Sequence, residues 1–199
     1  SLFIMRFVGA PFVFSFQQVG TNCGLIGKNA AVEVDGSAYW MSENGFFRYT
    51  GKLESLACLV EDYVYDDLNT VPKQHIYAGL NNLFGEVTWF YPGSGAASNN
   101  RSVTYNYMDS TPERPVWTTG SLARSSWSDS HIFGKPHGTE YDSSATSDTT
   151  VGNTDGVTIY YEHETGTNQI KAGTASAIAA NIQSGDFDIS LGQGGADLR

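Results

Sequence analysis

Along residues 31–57, short apolar-rich segments alternate with tight turn signals. "AAVEV" reads as a β segment turned by Asp35-Gly36, "SAYWMS" as a second strand, "FFRYT" as a third, and "KLESLACL" as a fourth after Gly51. Asn44-Gly45 is the strongest short-range hairpin signal a sequence carries. Four short strands joined by tight turns predict an antiparallel meander. The same stretch holds Tyr39, Trp40, Phe46, Phe47 and Tyr49, so the meander has aromatic surface to bury.

The pattern recurs loosely. "HIYAGL" (75–80), "EVTWFYP" (86–92), "SVTYNYM" (102–108) and "RPVWTTG" (114–120) form a second group. "HIFG" (131–134), "GTEYD" (138–142), "GVTIYYEHE" (156–164) and "NQIKAG" (168–173) form a weaker third, with Asn153-Thr154-Asp155-Gly156 as a turn, and "ASAIAANIQSGDFDIS" could begin a fourth. Gly51 and Gly93 each follow an aromatic-rich strand and lie 42 residues apart, within the period of a propeller blade. Gly93 to Gly166 is 73 residues, and the insertion 143–155 accounts for part of the excess. A lone four-stranded sheet cannot bury both its faces, whereas radial stacking of sheets does. The pattern therefore predicts an all-β chain over 1–199: a degenerate, partial β-propeller of four-stranded antiparallel blades near 31–57, 75–120 and 131–173, with the remainder partial, making three to four blades. A β-sandwich is the alternative. One short helix is predicted over 60–69, "VEDYVYDDLN", with Leu59, Tyr63 and Leu68 toward one face and Asp62 and Asp66 one turn apart on another.

Composition agrees with a turn-rich β protein: 22 glycines, 13% aromatic residues and only 16% charged residues among 199. The formal net charge is −10, and residues 51–199 carry all of the excess, with 8 basic and 18 acidic side chains. A surface of that sign repels phosphate and argues against tight nucleic-acid binding. The two cysteines, Cys23 and Cys58, make neither a disulfide framework nor a zinc signature, and Cys58 in "LACLV" reads as a small buried hydrophobe. No apolar run is long enough to span a membrane, and no secretory signal is visible. The chain begins within an apolar segment and stops after "LGQGGADLR", which suggests an internal piece of a longer polypeptide.

Candidate chemistry is sparse. Asp62, Asp66 and Asp67 could supply two or three oxygens to a cation, where calcium takes six to eight, so a solvated helix face is the better reading. His131 and His137 are six residues apart without a third ligand nearby. His163 lies between Glu162 and Glu164, whose carboxylates could raise its pKa from the opposite sheet face, but no nucleophile accompanies it. Asp186 and Asp188 share a strand face about 7 Å apart, a spacing common on solvated strands. The motifs of hydrolase elbows, zinc proteases and nucleotide-binding loops are missing from the sequence. Tyr39, Trp40, Phe47, Trp89, Phe90 and Trp117 are expected in the packed cores of blades rather than on a sugar-binding face. No enzymatic activity, cofactor or metal is expected.

"AYWMSENGFFRYTGKLESLACLVEDYVYDDLN", "YAGLNNLFGEVTWFYP", "VWTTGSLARSSW" and "SGDFDIS", in that order, resemble segments of the β-propeller tail nozzle or hub proteins of short-tailed bacteriophages, including those called packaged-DNA stabilisation proteins. The resemblance spans about residues 20–190. It implies a structural virion component in the phage tail, assembled as a homo-oligomeric ring, usually a hexamer, on the tail adaptor and beside other tail proteins. Such a ring retains the packaged genome and passes double-stranded DNA at infection. No membrane anchor is implied. The acidic residues Asp62, Asp66 and Asp67 are then candidates for a channel or outer surface. A carbohydrate-binding propeller is the competing reading.

Overall fold

A computed structural model describes residues 1–130, 133–142, 156–171 and 174–178. The chain divides into two compact units, Ser1–Thr165 and Gly166–Arg199. The second unit contributes one described hairpin, β14 (Asn168–Lys171) and β15 (Thr174–Ala177), paired antiparallel with Asn168 opposite Ala177.

The first unit opens with a hairpin of β1 (Leu2–Phe7) and β2 (Phe14–Gly20). Three antiparallel sheets follow. The first is β3 (Ala31–Val34), β4 (Ser37–Ser42), β5 (Gly45–Tyr49) and β6 (Leu53–Leu56). The second is β7 (Tyr77–Asn81), β8 (Glu86–Tyr91), β9 (Arg101–Asn106) and β10 (Trp117–Gly120). The third is β11 (Ser126–Ser128), β12 (His137–Asp142) and β13 (Val157–Glu162). Strands are neighbours in chain order within every sheet, so each is a meander. One α-helix, α1 (Glu61–Asp67), and a single 3₁₀ turn at Lys73–His75 lie between the first and second sheets. The chain is therefore all-β in the described residues apart from these two turns of helix.

Local chemistry sets the first sheet. Asp35 and Gly36 both take positive φ, 48° and 78°, giving the two-residue turn whose twist matches its strands, with Val34 opposite Ser37. The next turn differs from the sequence expectation. Ser42 pairs with Gly45, so the loop is Glu43-Asn44 and Gly45 already belongs to β5 at φ 112°. A distant side chain fixes this register: the Tyr65 hydroxyl donates to the Ser42 carbonyl at 2.6 Å and accepts from the Gly45 N–H at 3.2 Å.

The alternation of β4 and β5 sends Tyr39, Met41 and Phe46 to one face and Trp40 and Phe47 to the other. The first of these faces packs on the second sheet. Phe46, fully buried, lies 4.9 Å from Trp89 and 4.8 Å from Trp117 between ring centroids, and Tyr39 meets Tyr105 at 6.2 Å. The opposite face of the second sheet meets the third, where Phe90 lies 5.5 Å from Trp127. Gly79 makes that contact possible, since a Cβ there would fall 2.6 Å from the Trp127 ring. The first strands of the sheets run side by side: the Ala78 N–H donates to Asn29 O at 2.7 Å beside a parallel bridge between Asn29 and Tyr77, and β7 also borders β11.

Two sequence expectations change in the third group. The strand expected at "HIFG" is not formed by Phe133 and Gly134, which lie in a turn, while His131 and Ile132 fall outside the described residues. Its place is taken by β11, where Trp127 stands between two serines and has no apolar alternation to announce it. The segment expected to finish this group, 168–173, contributes β14, which pairs with β15 rather than with the third sheet.

The four tryptophans share one device. Each indole N–H donates to a main-chain carbonyl of another segment: Trp40 to Cys23 at 2.7 Å, Trp89 to Ala30 at 3.1 Å, Trp117 to Ala57 at 2.8 Å and Trp127 to Leu80 at 2.7 Å. Burial of a ring of this size and satisfaction of its N–H act together. Trp40→Ala is expected to cost about 3–5 kcal/mol in urea unfolding, because it opens a cavity and orphans the Cys23 carbonyl. Gly79→Ala should cost about 1–3 kcal/mol by driving Trp127 out of its seat, and a change under about 0.5 kcal/mol would show that the second and third sheets are not locked there.

Candidate functional site

The acidic helix is the first sequence candidate, and its three aspartates separate in space. Val64 is fully buried and Tyr65 half-buried with its hydroxyl on the β4–β5 turn, so this side of α1 seats the helix on the first sheet. Burial pushes the Tyr65 phenol well above its ordinary value. Asp62, Tyr63 and Asp66 project to water on the other side. Asp67 does not join them. Its carboxylate accepts from Arg101 Nε at 2.9 Å and from the Ser94 N–H at 3.2 Å, tying the helix to the β8–β9 connection. Asp67 is thus a structural tie, and the exposed acidic surface of α1 consists of Asp62 and Asp66 beside half-buried Glu61.

The six aromatic positions all take part in packing. Tyr39, Trp89, Phe90 and Trp117 lie between sheets, as the contacts above place them. Trp40 and Phe47 stack on each other at 5.8 Å on the opposite face of the first sheet. There Trp40 lines an apolar cavity with Leu2, Ile4, Ala31, Ala38 and Tyr49, so this pair serves the N-terminal hairpin and not the second sheet. Phe46 is the first-sheet residue that reaches Trp89, and the doublet Phe46-Phe47 gave no sequence signal as to which ring would.

The main polar cluster lies at the third sheet, where sequence reasoning had isolated His137 and His163. Arg124, buried to 6% exposure, donates through Nε to His163 Nε2 at 3.0 Å. Its guanidinium stands 4.0 Å over the Tyr161 ring and 3.7 Å from Glu140, which also accepts from the Tyr161 hydroxyl at 2.8 Å. His163 packs on Trp127 at 4.5 Å, and His137 contacts the Tyr160 hydroxyl through Nδ1. Burial first, then the positive charge of Arg124 and the neighbouring His137, push His163 down to about 4. The flanking glutamates do not raise it, contrary to the sequence expectation. They point away, and Glu162 pairs with Lys135 at 3.6 Å. The imidazole is neutral at ordinary pH and already spent as an acceptor for Arg124, so its role is to hold a buried cation in place. Nothing in the sequence links Arg124 to His163, 39 residues on.

The remaining candidates resolve simply. Cys23 is buried, and burial pushes the half-buried Cys58 thiol up to about 12, which leaves little thiolate to react. His131, the turn residues 153–155 and the pair Asp186 and Asp188 lie outside the described residues. Among the described residues no group of three or more His, Cys, Asp or Glu gathers at metal-binding distance. No described helix is long and apolar enough to cross a membrane. No family model matches the chain, and no curated protein matches it.

His163 generates a pH prediction whose sign is fixed. An unfolded histidine binds a proton below about pH 6.5, while the folded ring stays neutral until about pH 4. The unfolded state therefore gains protons first, and stability falls as pH drops from about 6.5 to about 4. With solvent reaching the half-buried ring, the loss is roughly 1–2 kcal/mol. Urea midpoints of the wild type and of His163→Gln, compared at pH 7.5 and 4.5, should show a smaller fall in the variant; an equal fall would assign the effect to other groups.

Proposed function

We propose that this chain is a structural component of a phage tail, a nozzle or hub element built on a partial β-propeller and lining or supporting the conduit through which packaged DNA is held and released. The observation that carries this reading is the stacking of the meander sheets. The inner strands β7 and β8 of the second sheet are covered on both faces, and β3, β7 and β11, the first strand of each sheet, lie together as the inner strands of neighbouring blades would. A two-layer sandwich has no such doubly covered sheet. Three of the four segments that resemble nozzle proteins fall on these sheets and on α1, and the fourth, 184–190, lies outside the described residues.

The net charge of −10 supports the same reading. A wall that bound phosphate would stall a moving duplex, whereas a repulsive wall leaves it free to slide. A carbohydrate-binding propeller would offer tryptophan faces to solvent. Here Trp40 and Trp89 are buried, and all four indole N–H groups are committed to main-chain carbonyls.

Electron microscopy of the assembled protein tests the reading. A closed ring with a central channel is the expected result, and particles without one would overturn it. Lysine at both Asp62 and Asp66 tests the lumen charge. If these acids line the channel, ejection measured by dye entry into released DNA should slow several-fold while the unfolding midpoint stays within about 0.5 kcal/mol of wild type. Asp67→Ala should do the reverse, lowering stability by about 1–2 kcal/mol through loss of the tie to Arg101 and Ser94.

A further inference from the structure

Between strands β5 and β6 of the first sheet and the β9–β10 connection of the second lies a cavity of about 330 Å³. That volume falls within the roughly 300–1,000 Å³ of small-ligand sites. All of its lining residues are described, and none is next in sequence to an undescribed segment.

The first sheet contributes an ion pair. Nε and Nη2 of Arg48 both donate to the same oxygen of Glu54, Oε2, at 3.1 and 2.5 Å, so Oε1 accepts nothing from the described residues. The hydrogen bonds from Arg48 hold the Glu54 carboxyl below its ordinary value. At neutral pH the cavity therefore carries a fixed acceptor beside a fixed donor, and the two charges cancel. The second sheet contributes hydroxyls. Ser110 Oγ accepts from the Val116 N–H at 2.8 Å and Thr111 Oγ1 from the Arg114 N–H at 3.1 Å, which leaves each hydroxyl proton to donate elsewhere. Tyr105 is the informative residue. It is only 6% exposed, with its ring packed 6.2 Å from Tyr39 and 4.8 Å from Trp117. It nevertheless lines the cavity, and its hydroxyl has no hydrogen-bond partner among the described residues. A phenol packed so deeply ordinarily finds one. Leu56, Pro112 and Pro115 supply apolar lining.

We propose that this cavity binds a neutral sugar, one pyranose ring resting its C–H surface on Leu56, Pro112 and Pro115 and presenting adjacent hydroxyls to Arg48, Glu54 and Tyr105. The chemistry selects this class. Because the charges of the cavity cancel, neither an anion nor a cation gains a net partner there. A trans peptide bond points its N–H and C=O in opposite directions and does not meet a donor and an acceptor that lie side by side. Adjacent hydroxyls each donate and accept, so together they match the guanidinium, the free carboxylate oxygen and the phenol. No tryptophan face takes part, so the burial of Trp40 and Trp89 does not bear on this site. The inference does not depend on passage of DNA.

Saturation-transfer NMR of the 199-residue chain with D-glucose, D-galactose, D-mannose and N-acetyl-D-glucosamine tests it. At least one of these sugars should bind with a Kd on the order of 1–10 mM. Tyr105→Phe removes a single oxygen that has no partner in the fold. It should leave the urea midpoint unchanged and weaken that sugar roughly 3–10-fold. Glu54→Gln keeps the shape of the side chain, loses the ionised acceptor, and should weaken it roughly 10-fold or more. Failure of all the sugars to bind at about 50 mM overturns the proposal. Binding that either variant leaves unchanged also overturns it, because the sugar then sits elsewhere. A lowered urea midpoint in Tyr105→Phe would show that the hydroxyl serves the fold, which overturns its place in the site. Each of these outcomes leaves the conduit reading as it stands.

Discussion

The burial of both faces of strands β7 and β8 in the second sheet is the constraint on which the rest of the structure depends. Val87, Trp89, Val103 and Tyr105 turn to the first sheet, while Phe90 turns to the third. A sheet of this kind cannot exist in water without partners on each side. Trp89 sits at its centre, fully buried against Phe46, with its N–H on the Ala30 carbonyl just before β3. One side chain thereby supplies apolar contact and also fixes where the preceding sheet must begin. The same pairing of ring burial with a main-chain acceptor recurs at Trp40, Trp117 and Trp127.

Polar groups in this stack serve position more than chemistry. The Tyr65 hydroxyl sets the register of the β4–β5 turn, Asp67 ties α1 to the next sheet, and His163 neutralises no charge but accepts the Nε proton of Arg124. A buried guanidinium is tolerable when its donors are met and a carboxylate lies near, and Glu140 with the Tyr161 ring completes that environment. Each of these groups joins elements well separated in the chain, so the stack is held by polar ties at its margins and by aromatic burial at its centre.

The division of the acidic residues follows from the same economy of space. Helix α1 is short, and one side of it is consumed by Val64 and Tyr65. Asp67 falls at its last turn, within reach of Arg101, while Asp62 and Asp66 remain over water. Acids that look equivalent as "EDYVYDD" therefore divide into one packing group and two surface charges.

What the sequence determined by itself was everything local. Tight turns at Asp35-Gly36 and Gly51, alternating aromatics, and a helix between 60 and 69 all follow from backbone preferences that act within a few residues, and the strands of the first two groups lie where that pattern puts them. Tertiary structure decided what depends on a distant partner. It made Phe46 rather than Phe47 the ring that meets Trp89, moved a turn by one residue through Tyr65, and placed a strand at Ser126–Ser128 because Trp127 has a seat over Gly79. It also brought Arg124 to His163 and left the phenylalanine face of the hairpin in water. The physical reason is one of range: dihedral preferences and alternation are written residue by residue, whereas burial and hydrogen-bond satisfaction are properties of neighbours that only the folded chain brings together.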